Sequence, residues 1–141
     1  MKIRDVMTPN PRTVSPNDTV QSAAQMMRAA DIGALPVVEA GRVMAIVTDR
    51  DIVVRLVADG GTLVAPVLEI ASTDVVTVPP DMSTKEAEAL MGERQIRRLL
   101  VVENDRLIGV VSLGDLAVKS GHDHRVGETL ERISEGVKEH V

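Results

Sequence analysis

Apolar and polar positions along the chain fall into short segments whose periodicity changes every few residues. Val20, Ala23, Ala24 and Met27 recur at i, i+3, i+4 and i+7, which gives a helix one apolar face. Two β-rich runs follow, Leu35–Val38 and Val43–Val47, and the short polar link from Glu39 to Arg42 predicts a hairpin. Ahead of the helix, Arg12-Thr13-Val14 predicts a short extended piece ended by Pro16. After the hairpin, a second helix is predicted to start near Asp49.

The same pattern returns 64 residues later. Laying residues 5–56 over 69–120 needs no gap, and identical pairs include Thr13/Thr77, Ala23/Ala87, Met27/Met91, Leu35/Leu99, Val47/Val111 and Asp51/Asp115. In the second copy Ser83 and Glu86 have capping-box spacing just before the helical positions Ala87, Leu90 and Met91. Runs Leu99–Val102 and Leu107–Val111 then flank Glu103-Asn104-Asp105-Arg106, and a last helix is predicted near Leu113. One register held across apolar and polar positions alike marks an internal repeat. The predicted order is β-α-β-β-α, twice, an α+β fold. One copy of about 50 residues buries too little surface to stand alone. The copies therefore read as a pseudo-two-fold pair, residues 1–60 and 61–120. The tail, 121–141, is more polar, but Val126, Leu130, Ile133 and Val137 keep helical spacing and predict a helix that packs on the body or on a second subunit.

Composition narrows the function. Apolar residues make up 44% of the 141 positions, yet none is Phe, Tyr or Trp, so the core must be Val, Ile, Leu, Met and Ala. Single-stranded nucleic-acid binders stack bases on aromatic rings, and the formal charge of −5 offers phosphate polymers no overall attraction, so no nucleic-acid partner is expected. The absence of cysteine excludes disulfides, zinc–thiolate sites and thiol nucleophiles. It fits a reducing compartment. The opening MKIRDVMTP lacks a signal-peptide core, and no apolar run reaches the roughly 20 residues of a membrane span, so a cytoplasmic protein without membrane contact is expected. His122-Asp123-His124 reads as a solvated linker, and no metal is expected. Asp49 and Asp51, at i and i+2, point in different directions on a helix and have no base beside them, so no catalysis is expected.

In both copies the third β-run ends in a hydroxyl residue with an aspartate three positions on: Thr48 with Asp51, and Ser112 with Asp115. This is the spacing of a helix capping box. The same geometry suits a nucleoside phosphate. Free N–H groups and a hydroxyl at a helix start can hold phosphate, and a carboxylate one turn in can accept from ribose hydroxyls. The two roles are compatible.

Gly33-Ala34-Leu35-Pro36-Val37-Val38 with the run Gly41–Asp51, and Ile96–Val102 with the run Gly109–Leu116, resemble two cystathionine-β-synthase (CBS) domains. Asp5-Val6-Met7-Thr8-Pro9 also suits that family, and the resemblance to a stand-alone tandem CBS pair covers roughly residues 1–120. It implies a non-catalytic regulatory module, with no required cofactor, that binds AMP, ADP or ATP, or S-adenosylmethionine, in clefts between the copies. It also implies a head-to-head homodimer and an effector protein that receives the signal. Carried over by position, Thr48 and Asp51 would face Thr77, Ile96 and Arg97, while Ser112 and Asp115 would face Thr13, Ile32 and Gly33. Arg97 and Arg98 stand at positions the family often makes basic, so the Thr48/Asp51 cleft is expected to suit a charged nucleotide better. Ala45 replaces a common glycine, adding a methyl where the resemblance brings chain close to ligand, and Leu100 replaces a common proline. The alternative reading is a dimeric interaction scaffold whose clefts are empty or degenerate.

Overall fold

The computed structural model describes residues 1–120 together with Thr129 and Ile133. In chain order the elements begin with α1 (Ile3–Val6), β1 (Thr8–Pro9), α2 (Val20–Ala30), β2 (Ala34–Glu39) and β3 (Arg42–Thr48). Helix α3 (Asp49–Asp51) runs directly into a π-helical segment, Ile52–Val57. After a 3-10 turn at Val67–Glu69 come β4 (Thr77–Val78), α4 (Thr84–Arg94), β5 (Arg98–Glu103), β6 (Arg106–Ser112) and α5 (Leu113–Ser120).

Local chemistry sets these boundaries. Thr19 caps α2 by accepting from the Ser22 N–H at 3.0 Å, and Ser83 caps α4 by accepting from the Glu86 N–H at 3.1 Å. The two helices end on the left-handed residues Asp31 and Gln95, with φ of 54° and 57°. Both hairpins turn through two left-handed residues, Ala40-Gly41 and Asn104-Asp105. That geometry matches the twist of the flanking strands. The π-helical segment departs from the expected repeat, as does the 3-10 turn at Val67–Glu69, which matches the α-helical turn α1. In the first copy the Ala58 N–H donates to the Val53 carbonyl, five residues back, whereas the matching stretch of the second copy is the ordinary α-helix α5. The first copy has a β-branched run there, Ile52-Val53-Val54, where the second has Leu116-Ala117-Val118. Branching at Cβ crowds the preceding helical turn.

The chain divides into two compact units, Pro11–Val75 and a second made of Met1–Asn10 with the chain from Val76 onward. In the first, β2 and β3 pair antiparallel from Ala34↔Thr48 to Glu39↔Arg42, Val14 bridges Val37 in parallel, and Ser72 bridges Ile46 antiparallel. Its core joins Val20, Ala23 and Met27 of α2 to Leu35, Val37, Ala45 and Val47 of the hairpin and to Leu56, Val67 and Ile70. In the second, four strands lie in the order β1-β6-β5-β4, with β4 and β5 parallel and the other pairs antiparallel. Ile3, Val6, Ala87, Met91, Leu99, Val101, Val111 and Leu116 fill that core. Met27 and Met91 are thus core residues.

The units repeat the same pairings at an offset of 64 residues: Thr8↔Val110 corresponds to Ser72↔Ile46, and Val78↔Val101 corresponds to Val14↔Val37. Each repeat's lead-in stretch therefore packs in the unit of the other repeat. Residues 1–8 join the second copy's core, with Ile3 N–H bonded to Met82 O at 2.8 Å, and residues 65–72 join the first copy's core, with Val67 N–H bonded to Asp18 O at 2.8 Å. The sequence division at residue 60 marks where the pattern restarts, while the compact units are set by where these lead-in stretches dock. Thr129 and Ile133 are helical and buried, with Ile133 in the second core and the Thr129 hydroxyl donating to Glu88 O at 3.3 Å. The rest of the expected tail helix, including Val126, Leu130 and Val137, lies outside the described residues, as does His122-Asp123-His124.

Candidate functional site

The two hydroxyl–aspartate pairs form the same reciprocal box, one in each unit. In the first, Asp51 N–H donates to Thr48 Oγ1 at 3.0 Å and Thr48 N–H donates to Asp51 Oδ2 at 2.9 Å. In the second, Asp115 N–H donates to Ser112 Oγ at 3.0 Å and Ser112 N–H donates to Asp115 Oδ2 at 2.9 Å. All four side chains are half-buried.

Each box uses only part of its chemistry. A hydroxyl that accepts a backbone N–H still has its own proton to donate, and a carboxylate with one oxygen committed keeps the lone pairs of the other. Thr48 O–H and Asp51 Oδ1, like Ser112 O–H and Asp115 Oδ1, thus remain outside the box hydrogen bonds. These are a donor suited to a phosphate oxygen and an acceptor suited to a sugar hydroxyl. Asp51 Oδ1 lies 3.8 Å from Arg55 Nε, and among the described residues no such ion pair is made by Asp115.

The residues expected to line a site sort by unit as follows. Thr13, Ile32 and Gly33 belong with Thr48 and Asp51, and Thr77, Ile96, Arg97 and Arg98 belong with Ser112 and Asp115. The strand registers explain part of this grouping. Ala34 pairs with Thr48, so the preceding Gly33 sits at the helix start, where its carbonyl accepts from Asp49 N–H at 2.9 Å. Arg98 pairs with Ser112, and the Arg97 carbonyl accepts from Leu113 N–H at 2.9 Å. Thr13, Thr77, Arg97 and Arg98 are exposed, Ile32 is just exposed, and Ile96 and Gly33 are half-buried.

Asp49 acquires a structural place that sequence reasoning missed. A Cβ at Gly33 would lie 2.9 Å from Asp49 Oδ2, so the carboxylate occupies the space beside the glycine. Its other oxygen accepts from Arg50 N–H at 2.8 Å. The second copy has Arg97 and buried Leu113 at the same two positions. The pairing Gly33/Asp49 against Arg97/Leu113 was the available signal, because both changes occur together.

Ala45 also has a clear position. It is fully buried in the first core, so its methyl contributes to packing. Its counterpart Gly109 faces Met7, whose side chain fills the space a Cβ would need. Among the described residues no group of three or more His, Cys, Asp or Glu could hold a metal ion, and no helix is long and apolar enough to cross a membrane.

A family model for the CBS domain matches residues 3–58 and 67–120. The CBS domain-containing protein YhcV of Bacillus subtilis is 45% identical over 132 residues, which is 94% of each chain. The crystal structure of Hypoxic Response Protein I with two coordinated zinc ions matches with a TM-score of 0.77 at 35% identity, covering 84% of this chain and 98% of that one. A hexameric CBS-CP12 protein from bloom-forming cyanobacteria matches with a TM-score of 0.75 at 28% identity, covering 88% of this chain and 73% of that one.

Proposed function

The chain belongs to the CBS-domain family, and on that premise we propose that it is a non-catalytic regulatory module that binds adenosine nucleotides and reports their level to another protein. One observation carries the reading. Both units present a box whose own hydrogen bonds leave over a hydroxyl donor and a carboxylate oxygen at the same helix start. A nucleoside phosphate needs that combination, phosphate held by the hydroxyl and ribose by the carboxylate. Thr48 with Asp51, and Ser112 with Asp115, are the anchors. Thr13, Ile32, Gly33, Thr77, Ile96, Arg97 and Arg98 supply the surroundings. AMP, ADP and ATP are the proposed ligands, with S-adenosylmethionine the alternative adenosine compound.

Thermal-shift measurement with each compound, followed by isothermal titration of Asp51→Ala and Asp115→Ala, tests this. A ligand at 100 times its dissociation constant adds about 2.7 kcal/mol of stability. Each substitution is expected to abolish binding at its own anchor and spare the other. Absence of any shift with all four compounds refutes the nucleotide reading.

A second reading, an interaction scaffold, is favoured by the apolar surface of the first unit. Val53, Val54 and Val57 are about half exposed or more, as are Leu63 and Val64. Beside them an open groove of about 410 Å³ is lined by Val20, Ala24, Ile52 and Leu63 with Gln21, Gln25 and Arg28. The two readings combine if a second copy or an effector covers this face, and the hexameric relative supports self-association. Sedimentation velocity of the wild type against Val53→Glu/Val57→Glu tests it, with loss of an oligomer expected.

A further inference from the structure

Arg55 follows the first hydroxyl–aspartate pair by one helical turn and meets two partners at once. Its Nε lies 3.8 Å from Asp51 Oδ1, and its Nη1 donates to the Ile70 carbonyl at 3.3 Å. The counterpart of Arg55 is Lys119, and the counterpart of Ile70 is Val6. Lys119 Nζ donates to the Val6 carbonyl at 2.9 Å. Two different cations thus reach the same carbonyl of the docked lead-in stretch, so the contact belongs to the repeat and is not an accident of one side chain. The copies differ at the carboxylate, where an ion pair joins Arg55 to Asp51 and none joins Lys119 to Asp115 among the described residues.

We infer that Arg55 is a positioning residue that couples occupancy at Asp51 to the order of residues 67–72, an inference that rests on the nucleotide reading. Asp51 Oδ1 is the oxygen left for a ribose hydroxyl, and Arg55 shares it. A hydroxyl donating to that oxygen competes with the guanidinium. The guanidinium then turns its donors toward the Ile70 carbonyl, where the 3.3 Å contact has room to shorten. Ile70 closes a tight turn: its N–H and that of Ala71 both return to Val67 O, at 3.1 and 3.0 Å, and Ser72 N–H donates to Ile46 O at 2.9 Å. This stretch leads to Val76, where the chain enters the other unit. Tightening it on binding carries the signal out of the site along the backbone. Lys119, committed to its carbonyl, supplies no such link at Asp115, so the two sites respond to ligand differently.

Hydrogen exchange of the full chain, read by mass spectrometry over peptides spanning 67–72, tests the coupling. Asp115→Ala serves as background so that AMP occupies the Asp51 site alone. With Arg55 present, saturating AMP is expected to slow exchange at Ile70–Ser72 several-fold. In Arg55→Gln, AMP still binds and the slowing is lost. Arg55→Lys, which recreates the Lys119 arrangement, restores the ligand-free protection without restoring the response to AMP. Equal slowing in Arg55→Gln overturns the inference, as does AMP bound to the background protein with no change over 67–72. If the background protein binds no AMP, the nucleotide reading fails at that site and the ligand-free comparison decides Arg55's role. Faster exchange at Ile70–Ser72 in Arg55→Gln, reversed in Arg55→Lys, then supports the anchoring contact, and unchanged exchange overturns it.

Discussion

Replacing Gly109 by alanine should destabilise the unit formed by residues 1–10 and 76 onward, and the cost should depend on Met7. Gly109 lies on β6 opposite Pro9, with Thr8 paired to Val110. An added Cβ would overlap the Met7 sulfur, and would lie 3.1 Å from Met7 Cγ and 3.1 Å from the Thr8 carbonyl oxygen. The half-buried Met7 side chain packs against the second core, which limits its movement on that side, and the Thr8 carbonyl oxygen is backbone held by strand pairing. Overpacking of this kind costs about 1–3 kcal/mol. Met7→Ala alone removes a half-buried side chain and should cost about 2 kcal/mol, the low end for methionine truncation. The double variant Met7→Ala/Gly109→Ala recreates the combination that the first repeat uses at the matching positions, Ala71 and Ala45, both buried. It should therefore be more stable than the sum of the single costs predicts, with a coupling of about 1–2 kcal/mol. Urea unfolding of the four proteins, compared at a common m-value, measures each term. Additive costs in the double variant, or a Gly109→Ala within about 0.5 kcal/mol of wild type, would refute the packing argument.

Two further outcomes follow from the same geometry. Gly33→Ala should cost less than Gly109→Ala, because the obstructing group is the exposed end of the Asp49 side chain. The cost should be under about 1 kcal/mol and should vanish in an Asp49→Ala background, as measured by chemical unfolding. Thr19→Ala and Ser83→Ala each remove the hydroxyl that accepts an α2 or α4 N–H, and each should cost about 1 kcal/mol, with Thr19→Ser and Ser83→Thr near neutral. Equal loss in the serine or threonine replacements would show that the cap is not the cause.

The fold was legible in the sequence because its signals are local and occur twice. The spacing of Val20, Ala23, Ala24 and Met27 and the capping pair Ser83 and Glu86 announce helices, the polar links Glu39–Arg42 and Glu103–Arg106 announce hairpins, and the offset of 64 residues ties one copy to the other. The boxes Thr48/Asp51 and Ser112/Asp115 were legible for the same reason, since a four-residue hydrogen-bonded turn needs only its own residues. The role of Asp49 and the second partner of Arg55 were not. Asp49 matters through Gly33, which strand pairing brings beside it, and Arg55 through Ile70, fifteen residues further along the chain.

The sequence by itself determined the repeat, the order of the main helices and hairpins, the aliphatic core and the two candidate anchors. Only the tertiary structure decided where each lead-in stretch docks. The two stretches are alike, Ile3 and Val6 in one matching Val67 and Ile70 in the other, so either could fill either core on apolar pattern alone. What distinguishes the outcomes is a long-range contact that periodicity does not encode, Arg4 against Glu103 at 3.0 Å, at a position where the other stretch has Leu68. Residues 65–72 follow closely on the first copy's last helix and dock there, while residues 1–8 occupy the equivalent place in the second copy. That exchange sets Ile70 within reach of Arg55 and Val6 within reach of Lys119, and so places a backbone connection beside each candidate anchor.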